Sequence, residues 1–383
     1  MDAVRHFTCG AVDRGERPAI ATAIAKYHLT ERMRKVVNDG MDVLGGRGIC
    51  MGPHNFLGRI YEAIPISITV EGANILTRNL IIFGQGALRA HPYLLTEMEA
   101  AARGDAVAFD RSFGAHQRHL ISNLVRGFVY ALSDGRLSST PQSRLKRHLQ
   151  RLNRLSTALA VCADLMLIGL GGELKRRERL SARLGDMLSQ LYIASAAINH
   201  FRDHGAHNEE RPLLDWVVND AVARGEQALF ELSHNCPRPL IGWLLRQLLL
   251  PLGRKARHPS DSEEQQLAEL LLQPSTLRDQ LTAGIYLPEA SHEPLAQLER
   301  ALSLAAETAP LERRLRKAQR HGVVSGRDEL GLINQAVAKG VFSKDEGARM
   351  AAAVNARREA ITVDDFAPQQ LQGVSDEKSQ QSA

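Results

Sequence analysis

Residues 67–86 read SITVEGANILTRNLIIFGQG and set a single carboxylate, Glu71, directly before Gly72, where an apolar run gives way to helix-like spacing. Gly48 closes the run GGRG (Gly45, Gly46, Arg47, Gly48) 23 positions earlier. A loop without side chains lets its amides approach a phosphate closely. Taken alone, GGRG marks the end of a helix, and an acid before a glycine marks a solvated turn. A third group, His200, His204 and His207, falls at i, i+4 and i+7, and zinc takes imidazole ligands at such spacing. Gly205 should end that helix before His207, and histidines suit a helix C-terminus electrostatically, so no metal is expected. The fourth group is PLIGWLLRQLLLPLGRKARHP, leucine-rich, with Trp243 and the cations Arg254, Lys255 and Arg257. Such a segment either packs in a core or lies on a membrane surface with its cations at the headgroups.

The elements that must hold these residues are helices. Ala19 to Val37 carries Ile20, Ile24, Tyr27, Met33, Val36 and Val37 close to a 3.6-residue period and ends in the glycine run. IYEAIPISITV reads as extended or mixed, because Pro65 disturbs a helix there. Helical spacing resumes after Gly72 and stops before Pro92. Long helices are then expected over 97–103, 113–132, 144–170 and 172–204, broken at RGDAVAFD, SDGRLSSTP and GLGG. HPSDSEEQQ reads as an exposed linker, and Ser343 with Glu346 has the spacing of a capping box. The expected organisation is all-α, with a first unit over 1–95, a helical extension over 96–367 and a polar, disordered tail over 368–383.

Composition supports this. The 383 residues are 44% hydrophobic, 24% charged and only 5% aromatic, with a net charge of +5. The charge is uneven: Pro141 to Arg183 holds ten Lys or Arg against three Asp or Glu. A basic stretch of this kind is either a solvated face or a surface for anions. Scarce aromatics and the lack of any helix-turn-helix pattern argue against nucleic acid. The four cysteines lie 41, 112 and 74 positions apart, without metal or redox spacing. No apolar stretch approaches the ~18 to 20 residues that cross a bilayer, so a cytoplasmic chain, at most peripheral at the inner membrane, is expected. Met1 to Val12 reads as a helix without an N-terminal cap, as in a fragment.

Read in register, the helix carrying Lys26, the GGRG run, a loop of about twenty residues and the EGANILTRNLIIFG helix start resemble the C-terminal helical domain of the acyl-CoA dehydrogenases. The region from Glu97 onward resembles the extra helical domain of that family's long bacterial members. The resemblance implies α,β-dehydrogenation of medium- to long-chain acyl-CoA with FAD, in fatty acid β-oxidation. It makes Glu71 the catalytic base and, with Gly72, part of the substrate site. It makes Gly45, Gly46 and Gly48 contacts of FAD bound to a neighbouring subunit, and so implies a homodimer. An electron-transferring flavoprotein or similar carrier would take the electrons. Where the family often has Gln and Thr, this chain has Asp42 and Ala73, and Asp42 is given no role with an anionic cofactor.

The implied chemistry explains the junction. A base for the α-proton and an acceptor for the β-hydride must stand on opposite sides of the thioester. The family's base works from a narrow apolar slot, which Ile66, Ile68 and Val70 would line here. Its backbone N–H, with a flavin ribityl hydroxyl, binds the thioester carbonyl. Since the family's earlier helical and β-domains have no counterpart here, the chain alone is expected to bind FAD weakly and turn over little, and the rival reading is a non-catalytic helical oligomerisation or membrane-surface remnant.

Overall fold

The computed structural model describes residues 1–86, 91–141, 143–288 and 293–368. Among them there is no strand, and the all-α expectation holds. The helices are α1 (Asp2–Asp13), α2 (Ala19–Leu44), α3 (Gly46–Ile49), α4 (Gly58–Thr69), α5 (Asn74–Leu76), α6 (Leu94–Arg103), α7 (Ala106–Ser133), α8 (Lys146–Leu170), α9 (Glu178–Asp203), α10 (Arg211–His234), α11 (Pro239–Leu249), α12 (Asp261–Leu272), α13 (Thr276–Leu281), α14 (Pro294–Arg320), α15 (Glu329–Ala338) and α16 (Lys344–Ile361). α5 runs on directly as a π-helical segment, Thr77–Gln85.

The chain forms two compact units that interleave in sequence, Met1–Arg32 with Ile66–Leu267, and Met33–Pro65 with Ala268–Ala383. The core of the first gathers Phe83, Leu155, Val161, Met166, Leu184, Met187, Leu232 and Leu245 from the π-helical segment and α8 to α11. Its central helix is α9, which meets α1, α8, α10 and the π-helical segment. The segment approaches closely at Gly185, where a Cβ would lie 3.3 Å from the Arg78 carbonyl oxygen. Arg78 also forks onto Asp186 at 2.9 and 2.6 Å. The core of the second unit joins Leu311, Leu315, Val324, Ile333, Phe342, Met350 and Val354.

Several sequence expectations need correction. IYEAIPISITV is helical, not extended, with Pro65 inside α4. A proline removes one N–H from the ladder, and the turns on either side still form while Ile64 is buried. RGDAVAFD is mostly helix: only Gly104 (φ +70°) and Asp105 turn, and the Asp105 carboxylate accepts the Ala108 N–H at 2.9 Å as an N-cap. The linker at SDSEEQQ is the start of α12. Ser260 and Glu263 exchange side-chain and backbone hydrogen bonds, the same device seen at Ser343 and Glu346. α8 with the turn after it (Lys146–Arg176) is long and apolar enough to cross a membrane, with a window of mean hydropathy 1.7. In this fold it is a core helix whose Val161, Cys162 and Met166 are wholly buried. Its basic residues are partly used internally: Arg154 pairs with Asp134 and Glu226, and Arg147 with Asp134. Residues 369–383 of the expected tail lie outside the described residues.

Candidate functional site

α4 ends at Thr69, and the chain reverses through Glu71 and Gly72, both left-handed, at φ +55° and +92°. For a side chain other than glycine this conformation costs roughly 1–2 kcal/mol, so something must hold it. The holder is Lys26 on α2, whose Nζ donates to the Gly72 carbonyl at 2.7 Å and to Asn74 Oδ1 at 2.6 Å. Asn74 is buried, and its amide donates to Thr30 Oγ1 at 2.9 Å and Glu31 Oε1 at 2.8 Å. Lys26 and Thr30 are one helical turn apart, so a single face of α2 grips the turn from beneath.

The upper side of the turn is open. Glu71 is exposed. Among the described residues neither its carboxylate nor its backbone N–H has a hydrogen-bond partner. Among the described residues the expected dry slot is not formed, since Ile66 is 66% and Val70 49% exposed. Ile66, Ile68 and Val70 would share one face only on a strand, and α4 winds this stretch as helix through Thr69.

The glycine turn lies in the other unit. α2 ends at Leu44, Gly45 takes φ +55°, and α3 is a single helical turn. The Gly45 N–H donates to the Met41 carbonyl and the Gly48 N–H to the Gly45 carbonyl, each at 3.0 Å. Gly48 is buried where a Cβ would stand 3.2 Å from Leu44 Cβ, so it serves close packing. Arg47 is only 1% exposed. It donates to the His54 carbonyl at 3.1 Å, to Gln297 Oε1 at 3.2 Å and to the Ala360 carbonyl. Burial pushes its guanidinium pKa down, against the opposing charges of Asp364 and Glu359. Val363 stands against Gly46, where a Cβ would be 3.3 Å from its Cγ2. Asp42 is exposed and Ala73 half-buried.

Two family models match in succession. Residues 3–84 match the acyl-CoA dehydrogenase C-terminal domain, and residues 88–366 the bacterial-type acyl-CoA dehydrogenase C-terminal region. The chain belongs to the acyl-CoA dehydrogenase family. No solved structure matches it. Acyl-CoA dehydrogenases are generally FAD-dependent oxidoreductases that act on acyl-CoA and form oligomers.

For an acyl-CoA dehydrogenase chain the glycine turn gives a mixed test. Gly45 and Gly46 are exposed and could lie against a nucleotide. The N–H groups of Gly45 and Gly48 are already taken by the chain itself, so these two do not form the amide cradle a pyrophosphate needs. His200 and His204 do meet, with ring centroids 3.9 Å apart, but their third neighbour is His6, stacked on His200 at 5.7 Å. His207 lies beyond Gly205 (φ +89°). Desolvation, then His204 and His6, lowers the His200 pKa. Trp243 and Leu240 are exposed on α11, whereas Leu245 and Leu249 are core. Sequence reasoning missed the grip of Asn74, Thr30 and Glu31; the Asn at the helix start was the available signal.

Proposed function

We propose that this chain is the C-terminal helical part of an enzyme that dehydrogenates medium- to long-chain acyl-CoA to trans-2-enoyl-CoA in fatty acid β-oxidation, with Glu71 as base. The observation that carries this is the Glu71 turn. It presents a carboxylate and an N–H that the described chain leaves unused, fixed by Lys26, within the match of residues 3–84 to the acyl-CoA dehydrogenase C-terminal domain. Glu71 would take the α-proton, and its N–H would bind the thioester carbonyl as enolate character develops. Gly72 keeps the approach free of a side chain, and Lys26 keeps the carbonyl of Gly72 turned away from substrate. FAD, when bound, supplies the acceptor for the β-hydride; of this chain, Gly45 and Gly46 would edge its nucleotide, while Gly48 acts by packing. Closure of a dry slot over Glu71 falls to residues beyond this turn. The division into a catalytic segment (1–95) and an extension (96–367) belongs to the proposal. So do a homodimer, an electron-transferring flavoprotein as acceptor, and a cytoplasmic place at or near the inner membrane.

The second reading, a non-catalytic oligomerisation or membrane-surface module, is favoured by the exposure of Glu71 and of the Leu240 and Trp243 face. One experiment separates them. The chain is joined to the flavin-covering domains of a family member, and flavin bleaching by palmitoyl-CoA is followed. Glu71→Gln is expected to slow bleaching about 10²- to 10⁴-fold without loss of bound FAD. Bleaching at the parent rate would remove Glu71 from the mechanism. A fusion that takes up no flavin would favour the second reading.

A further inference from the structure

Four ionisable side chains meet inside the first unit. His91 stands just ahead of α6, Glu97 in its first turn, His116 in α7 and Asp164 in α8. Asp164 Oδ1 lies 2.8 Å from His91 Nε2 and 3.4 Å from His116 Nε2, and one ligand atom from each of these three residues falls within 4.8 Å of the others. Their side chains are 1%, 9% and 12% exposed for Asp164, His91 and His116. Among the described residues the second carboxylate oxygen, Asp164 Oδ2, is buried without a hydrogen-bond partner. A buried acceptor left unsatisfied is costly, and a bound cation would satisfy it.

Two further features point the same way. Glu97 Oε1 sits 3.0 Å from His116 Nδ1, so it can hold a proton there while Nε2, which faces Asp164 Oδ1, is the ring atom a metal would take. This is how an outer carboxylate prepares a metal-binding histidine. Neither Glu97 nor Asp164 pairs with a Lys or Arg among the described residues, so two buried carboxylates face only imidazoles. Carboxylate oxygens and imidazole nitrogens converging at low exposure, with no Lys or Arg between them, form a donor set that a cation can fill.

We propose that His91, His116 and Asp164 bind one divalent transition-metal ion of the zinc class, with Glu97 as the outer partner of His116. Two imidazole nitrogens and one carboxylate oxygen suit zinc and its neighbours, whereas calcium and magnesium take oxygen donors. The ion fastens the start of α6 to α7 and α8. His91 must change tautomer to take part. The Tyr93 and Leu94 N–H groups donate to its Nδ1 at 3.3 and 3.1 Å, so the metal-free neutral ring carries its proton on Nε2, facing Asp164. Coordination through Nε2 moves that proton to Nδ1, with no net change on the ring. The two N–H groups, at a half-exposed helix start, then turn to water.

The test uses the full chain, stripped with EDTA and titrated with ZnCl₂, with CoCl₂ as a spectroscopic probe. One equivalent of zinc should bind and raise the melting temperature, and cobalt should give visible d–d bands. Amide exchange at Tyr93 and Leu94 should quicken on loading while the rest of α6 slows. Glu97→Gln should weaken zinc about 10- to 100-fold, and His91→Gln or His116→Gln by more than that. The pair His200→Gln and His204→Gln should leave it unchanged. Asp164→Asn puts folding at risk, so the histidine variants, checked by circular dichroism, carry the decision. A parent chain that takes up no zinc, or a His91→Gln/His116→Gln double variant that binds as tightly as the parent, overturns the proposal.

Discussion

The Glu71 turn and the glycine turn both reverse the chain through left-handed backbone, yet they use their hydrogen-bonding groups in opposite ways. At Gly45 to Gly48 the donors point inward: the Gly45 and Gly48 N–H groups close on the Met41 and Gly45 carbonyls, Arg47 is buried on three acceptors, and Val363 stands beside the exposed Gly46. At Glu71 the held groups are the Gly72 carbonyl and Asn74, gripped by Lys26, while Glu71 is exposed and its N–H and carboxylate have no partner among the described residues. Chemistry needs the second arrangement, because a group already satisfied within the chain has little to offer a substrate.

Amide exchange should show the largest contrast. The buried, bonded Gly48 N–H should exchange at least about 100-fold more slowly than that of Glu71. Equal rates would erase the difference between the two turns. Next, Arg47→Met should destabilise the unit that holds it by about 3 kcal/mol in urea unfolding, because it strips a hydrogen bond from the buried carbonyls it serves and leaves Gln297 without its guanidinium partner. A change within a few tenths would mean the glycine turn does not depend on that side chain.

Lys26→Met should cost less, about 2 kcal/mol, and quicken exchange around Gly72 and Asn74 without touching Gly48. Propagation to Gly48 would show that α2 transmits strain between the turns. The last effect, the smallest per unit of pH, concerns His28, on the same helix as the grip. Burial first, then Arg32, Arg78 and Arg224, lowers its pKa from 6.5 to about 3. Below pH 6.5 the unfolded chain binds a proton that the folded chain refuses, so stability falls as pH drops towards 3, by at most about 1.4 kcal/mol per unit. Urea midpoints measured against pH should lose that slope in His28→Gln; an unaltered slope would assign it to other groups.

Much of this was legible in the residues. Helical periodicity placed the bundle, and the capping box at Ser343 stood where its spacing put it, because a cap depends on four consecutive residues. The same local rule was present and missed at Ser260, hidden by the polar composition that made SDSEEQQ look like a linker. Pro65 misled because propensity is a weak prior beside the burial of Ile64. The His91, His116 and Asp164 meeting had no signal in spacing, since its members come from three elements separated by 25 and 48 positions.

What the sequence determined by itself was local: which stretches wind, where glycines let the chain reverse, and that Glu71 sits at a reversal in a family-like order. The tertiary structure alone decided which of those groups remain available. Lys26 and Asn74 are 48 residues apart, and only folding brings them together beneath the turn that leaves Glu71 exposed. Arg47 and Ala360 are 313 apart, and their contact turns the glycine bend inward. Periodicity constrains neighbours along the chain, whereas the partner of a polar group is settled by whatever the packed core brings beside it.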